Sequence, residues 1–172
     1  MAKNKGKIVS LAYGLMSAYP EAQAAADALV RQETGKSASE LDPEGWYDTK
    51  IFHEMMEIYG KHSLSGRRTA YLTLGKKVYP TLKKTAGIPD RVKTPLDFIK
   101  YEAEGFLANH QGNDVVPRKF LKLTEGDVEV YAPAPGYDEL HFEGVYLGIL
   151  EMCGVKNGKV VNKGGSVFQI TW

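Results

Sequence analysis

An α+β fold, with a helical N-terminal half packed on a four-stranded antiparallel sheet from the C-terminal half, is what this sequence predicts. Three observations lead there. Up to residue 112 the apolar residues recur mainly at helical spacing. Beyond it, two alternating runs, each folded about a glycine-containing turn, read as β-hairpins. Between them lies one strongly apolar helix, so the order is hairpin–helix–hairpin. A chain of 172 residues is expected to form a single domain, 1–172, with a mainly helical part over 1–112 and the hairpin part over 113–172.

The first clear helix opens at Tyr19-Pro20-Glu21. Proline suits an early helical position, where no amide donor is needed, and an acid there meets the positive end of the dipole. Ala22, Ala25, Ala26, Leu29 and Val30 follow at helical spacing, and Gly35 stands where a left-handed cap belongs. A polar stretch, KSASELDPEG, leads to Trp46-Tyr47. In DTKIFHEMMEIYG, Ile51, Phe52, Met55, Ile58 and Tyr59 share one side and Gly60 closes the helix. Residues 66–84 form a basic helical segment that Pro80 is expected to break or kink. Thr94-Pro95-Leu96-Asp97 supplies a capping hydroxyl, an early proline and an acid three residues on. The stripe Leu96, Ile99, Ala103, Phe106 and Leu107 then runs to His110.

In the second half, FLKLTEGDVEVYA alternates about Glu125-Gly126. Pro133, Pro135 and Gly136 end the run. Over DELHFEGVYLGILEMCG, Phe142, Val145, Tyr146, Ile149, Leu150 and Cys153 share a helical face, with Gly154 as the cap. GKVVNKGGSVFQITW is the second hairpin, turning at Gly164-Gly165, with Phe168, Ile170 and Trp172 as a core-facing row.

Composition narrows the function classes. The chain is 43% apolar and 25% charged, and a formal charge of +1 gives no global attraction to nucleic acid or anionic lipid. No apolar run approaches the ~20 residues of a membrane span. The N-terminus lacks the long apolar centre of a signal peptide, and the one cysteine, Cys153, rules out an intrachain disulfide. A cytoplasmic protein is expected.

Reactive chemistry is sparse. Neither a glycine-rich phosphate loop nor a nucleophile elbow occurs, and no acid–base pair can be placed by spacing, so the expectation is a protein that is not an enzyme. Cys153, on the apolar helical face, reads as a small filler rather than a nucleophile. His53 and His62 fall at polar positions. His110 is the candidate metal ligand, weighed against a plainer reading as a helix-end imidazole favoured by the dipole. His141 lies between Glu139 and Glu143, but side chains two apart on a helix do not face each other, so no metal site is expected there.

The aromatics are more suggestive. Trp46, Tyr47, Phe52, Tyr101, Phe106, Tyr131, Tyr146 and Phe168 come from every segment. A packed core would gather them, and so would a partly hollow one that admits an apolar ligand. Gly144 and Gly148, about one turn apart, mark a close approach by backbone, ring or ligand. Trp46, Phe52, Tyr101, Phe106, Tyr131, Gly144, Tyr146 and Gly148 are the candidate pocket residues.

The C-terminal third carries a resemblance. A hairpin, a helix with Gly144 and Gly148-Ile149-Leu150-Glu151, and a hairpin ending Phe168-Gln169-Ile170-Thr171-Trp172 resemble a known superfamily. It joins haem–nitric-oxide-binding domains, 4-vinyl-reductase-type sensor domains and Golgi-transport tethering subunits. Trp46-Tyr47 before an amphipathic helix is similar to uncharacterised bacterial members. The resemblance implies helices enclosing an apolar cavity above an antiparallel sheet. Haem-binding members carry Tyr-x-Ser-x-Arg for the propionates, where this chain has Tyr131-Ala132-Pro133-Ala134-Pro135. Their axial histidine falls near Ala103 here, with His110 about two turns later. Members that hold zinc have a cysteine where Ser166 stands. What these departures imply is a relative without either cofactor.

The leading expectation is therefore a non-enzymatic, small-molecule-binding or sensory domain with an apolar, aromatic-lined pocket, no cofactor and no metal. Its partners would be an apolar or aromatic small molecule and a signalling protein, not nucleic acid. One alternative is an interaction or dimerisation module that uses the alanine face of residues 21–34 and Met55-Met56. Another is a haem-based gas sensor using His110.

Overall fold

The computed structural model describes residues 1–85 and 87–172. Two short segments missed by periodicity come first: β1 (Lys3–Lys5) and helix α1 (Gly6–Leu15). Then follow α2 (Pro20–Thr34), β2 (Trp46–Asp48), α3 (Thr49–His62), α4 (Gly66–Thr85), α5 (Pro95–Asn109) and β3 (His110–Gln111). The C-terminal part is β4 (Lys119–Thr124), β5 (Asp127–Tyr131), α6 (Glu139–Met152), β6 (Lys159–Gly164) and β7 (Val167–Thr171). The architecture is the expected α+β one, with its four-stranded antiparallel sheet in the order β4-β5-β7-β6.

Local chemistry sets the boundaries. Pro20 starts α2, and Gly35 ends it at φ 73°, a left-handed turn that glycine adopts without strain. Thr94 and Asp97 form a reciprocal capping box at the start of α5, each side chain accepting from the other's backbone N–H. Asp138 caps α6 by accepting from Leu140 N at 2.8 Å.

Pro80 does not break the segment, because α4 runs through it. A proline here has no N–H for the carbonyl of Lys76, four residues back. That carbonyl faces Gly148 of α6, whose bare Cα lets the two helices come together. A Cβ at Gly148 would lie 2.7 Å from Lys76 Cα, and one at Gly144 would lie 3.0 Å from Leu72 Cα. Gly75 answers from α4, where a Cβ would meet Val145 N at 2.8 Å. Tertiary packing of α4 against α6 thus overrides the local breaker.

Two apolar clusters result. One joins α1, α2, α3 and the first part of α4 through residues such as Val9, Ala26, Met55 and Leu74. The other places Phe98, Phe106, Tyr146 and Ile149 of α5 and α6 on Val128, Val130, Phe168 and Ile170, the inner face of the sheet. Trp172 packs at the edge of the second cluster, and its N–H donates to Gly126 O at 3.0 Å. Ala22, Ala26, Val30, Met55 and Met56, which the interaction-module alternative needs on the surface, are all within 1% of full burial. They hold α2 and α3 inside the first cluster rather than offering an interface.

A second, three-stranded sheet in the order β2-β1-β3 ties the N-terminal segment to the end of α5. Asn4 pairs with Tyr47 on one side and His110 on the other.

Candidate functional site

Where the two clusters meet, the helices line a partly open cavity of about 250 Å³. Ile8, Leu11 and Leu15 of α1 form one wall, and Leu74, Val78 and Leu82 of α4 form another. Tyr101, Gly105 and Phe106 of α5 face them, while Phe52, Tyr137 and Phe142 close an aromatic end. The space exceeds the ~150 Å³ apolar void that accepts benzene and falls just under the roughly 300 Å³ at which drug-sized sites begin. A Cβ built at Gly105 meets nothing within 4 Å, so α5 leaves open room at that position.

Two imidazoles stand at the aromatic end. His110 terminates α5 and turns into β3, where pairing with Asn4 holds its backbone. Its Nδ1 is 2.8 Å from Phe106 O, and its Nε2 is 2.7 Å from Tyr137 Oη. The carbonyl can only accept, so Nδ1 carries the proton and Tyr137 donates to Nε2. Tyr137 Oη in turn accepts from Asn4 Nδ2 at 3.0 Å. Burial is the main reason that the His110 pKa falls to about 4, with Arg118 contributing in the same direction. The plainer expectation for His110, a cation at the helix dipole's negative end, is corrected by this: the imidazole is neutral and fully bonded.

His141, on the first turn of α6, is 7% exposed and its pKa is likewise lowered to about 4, first by burial. Its ring sits among Phe52, Tyr137 and Phe142 at centroid distances of 5.3, 5.9 and 5.5 Å. Its buried Nδ1 has no hydrogen-bond partner among the described residues. Sequence reasoning dismissed this histidine because it weighed only Glu139 and Glu143 as its neighbours. The signal that could have found it was its place one residue before Phe142 on the apolar face.

Charge at the cavity is tightly held. Glu102 lines it and is paired with Arg118, whose Nη2 donates to Glu102 Oε1 at 2.9 Å. Arg118 Nη1 donates to Pro133 O at 2.7 Å, and the guanidinium lies 3.5 Å from the Phe106 ring centroid. Tyr146 donates to Glu102 Oε2 at 3.1 Å. Lys7 is the basic group on the lining among the described residues, and it also pairs with Glu44 at 2.9 Å.

Of the sequence-derived candidates, Phe52, Tyr101 and Phe106 line the cavity. The other five lie elsewhere. Trp46 is 37% exposed on β2 beside Lys5. Tyr131 is 37% exposed on β5. Tyr146 is fully buried against Phe168, with its hydroxyl on Glu102. Gly144 and Gly148 serve the crossing with α4 and have no room for a ligand.

No protein-family model matches the chain, and no curated protein matches it. Solved structures do. The Fe(II) unliganded H-NOX protein from K. algicida superposes with a TM-score of 0.66 at 13% identity, covering 96% of this chain and 94% of that one. A point mutant of T. Tengcongensis H-NOX gives 0.64 at 12% identity over 97% and 96%. A structure from work probing the function of heme distortion in the H-NOX family gives 0.65 at 11% identity over 98% and 94%. The chain therefore has the H-NOX fold. These matches correct the expectation that the chain has no cofactor, since the solved proteins with this fold are described with ferrous iron and with haem.

The residues present fit such a group in two respects. Haem iron takes a neutral imidazole, and two buried neutral imidazoles line the cavity. The walls are apolar, with Gly105 leaving space on α5 and Lys7 offering a cation to an acidic edge. Among the described residues, no helix is long and apolar enough to cross a membrane.

Proposed function

We propose that this chain is a non-enzymatic sensory domain that holds a haem-type planar macrocycle in the cavity between α1, α4 and α5, with residues 1–172 acting as one unit. The observation that carries this reading is the pair of neutral imidazoles at one end of an apolar cavity in an H-NOX fold. When bound, the iron would supply a coordination site for a small gas. The chain's own residues do the rest. Ile8, Leu11, Leu15, Val78 and Leu82 would shield the group from water, and Lys7, now paired with Glu44, would be the cation for an acidic substituent. Glu102 is held in place by Arg118 on one carboxylate oxygen and Tyr146 on the other.

The cavity, about 250 Å³, is partly open to solvent, so a bound group is not limited to that volume. Ile8, Leu11 and Leu15 of α1 are partly buried, as are Val78 and Leu82 of α4 across the cavity.

Titration of the purified protein with haemin tests the reading. A sharpened, shifted Soret band is expected. Ligand at about 100 times its Kd should also stabilise the fold by about 2.7 kcal/mol, raising Tm by roughly 5–10 °C for a chain of this length. A free-haemin spectrum with an unchanged melting temperature would refute it.

A further inference from the structure

We propose that His141, and not His110, supplies the ring nitrogen that binds iron in this cavity. The inference rests on the haem reading above and assigns a donor within it.

The contrast between the two imidazoles is one of free lone pairs. A metal donor needs an unprotonated nitrogen that is not already committed. At His110, Nδ1–H is spent on Phe106 O at 2.8 Å, and the Nε2 lone pair receives the Tyr137 hydroxyl at 2.7 Å. Recruiting it would break the Tyr137 bond and strip the Asn4–Tyr137–His110 chain of its acceptor. It would also pull against β3, whose pairing with Asn4 fixes the His110 backbone. His141 carries none of these commitments. Its Nδ1 is buried without a partner among the described residues, and its ring packs against those of Phe52, Tyr137 and Phe142.

A buried polar atom without a partner is destabilising, so the fold carries a penalty at His141 that a ligand would relieve. Burial keeps the ring uncharged well below neutral pH, so the donor is ready without losing a proton. The backbone at this site is also rigid. Gly75 packs against the His141 carbonyl, and Gly144 against Leu72, so the turn of α6 carrying His141 is locked on α4.

The test compares haemin with metal-free protoporphyrin IX on the full chain, reading the Soret band, the electron paramagnetic spin state and tryptophan quenching. His141→Ala should weaken haemin binding by more than the roughly tenfold that even an outer partner of a metal ligand is worth. It should move the Soret band and leave protoporphyrin IX affinity within about twofold. Added imidazole should restore the wild-type spectrum in the space left by the side chain. His110→Ala should keep the wild-type spin state. His141→Gln, with a far-UV circular dichroism spectrum, guards against a variant that merely misfolds. The assignment is overturned if His141→Ala keeps the wild-type spectrum, or if His110→Ala loses it while His141→Ala does not. Wild-type protein that takes up protoporphyrin IX but shows no iron-bound nitrogen overturns the donor and leaves the macrocycle site standing. Protein that takes up neither macrocycle overturns both.

Discussion

Substituting Arg118 by leucine isolates one buried charge from its partner. The Arg118 side chain is fully buried and the Glu102 side chain is 5% exposed. Two guanidinium nitrogens reach Glu102 Oε1, at 2.9 and 3.3 Å, and a third reaches Pro133 O. Arg118→Leu keeps an apolar stem between Phe106 and Phe142 but leaves the carboxylate with Tyr146 alone. Removing one member of a buried pair costs about 3–5 kcal/mol, because the other charge stays behind without compensation. At about 2–4 °C per kcal/mol for a chain of this length, Tm should fall by roughly 6–20 °C. Urea melts should show the midpoint falling with the slope unchanged, since a change of slope would report altered compactness instead. Adding Glu102→Leu removes the stranded charge, so the double variant should recover part of the loss. A single variant within about 2 °C of wild type, or a double variant less stable than the single, would refute the account of this pair as a dry, mutually dependent unit.

Further outcomes follow from other parts of the structure. Gly148→Ala puts a methyl 2.7 Å from Lys76 Cα, so thermal melts should show a loss of about 1–3 kcal/mol, whereas Gly105→Ala, with open space, should be nearly neutral. His110 and His141 titrate near 4 in the fold against 6.5 in the unfolded chain. The unfolded state therefore binds more protons between those values, and stability falls as pH drops through that window by roughly 3 kcal/mol per imidazole. Chemical melts at pH 7 and pH 4 check this, and His141→Phe should flatten the dependence by about half. Thr94→Ala removes one arm of the capping box and should cost about 1 kcal/mol, with exchange of the first amides of α5 quickening.

Much of the fold was legible because its signals are local. The Pro20 start and Gly35 end of α2, the Thr94–Asp97 box and the Gly126 and Gly164-Gly165 turns each depend on a few neighbouring residues. The alternation of Phe168 and Ile170 likewise announced a strand with one buried face. β1, β2 and β3 were not legible, since two or three residues cannot display a period. Pro80 allowed either a break or a kink by local chemistry, and the crossing of α4 with α6 keeps the helix unbroken there. The aromatic inventory pointed to a cavity and to three of its lining residues, Phe52, Tyr101 and Phe106, but not to the rest. Tyr131 and Trp46 have the right composition and sit on the outside.

The sequence by itself therefore determined the class, the order of the elements and their caps, since these follow from backbone preferences and the spacing of apolar side chains. Only the tertiary structure decided the site. Asn4, His110, Tyr137 and His141 are brought together from β1, the end of α5, the loop before α6 and α6 itself. Whether an imidazole's nitrogens are spent or left without a partner depends on groups such as Asn4 and Tyr137, which bond to each other across 133 residues of chain, and no local pattern encodes that.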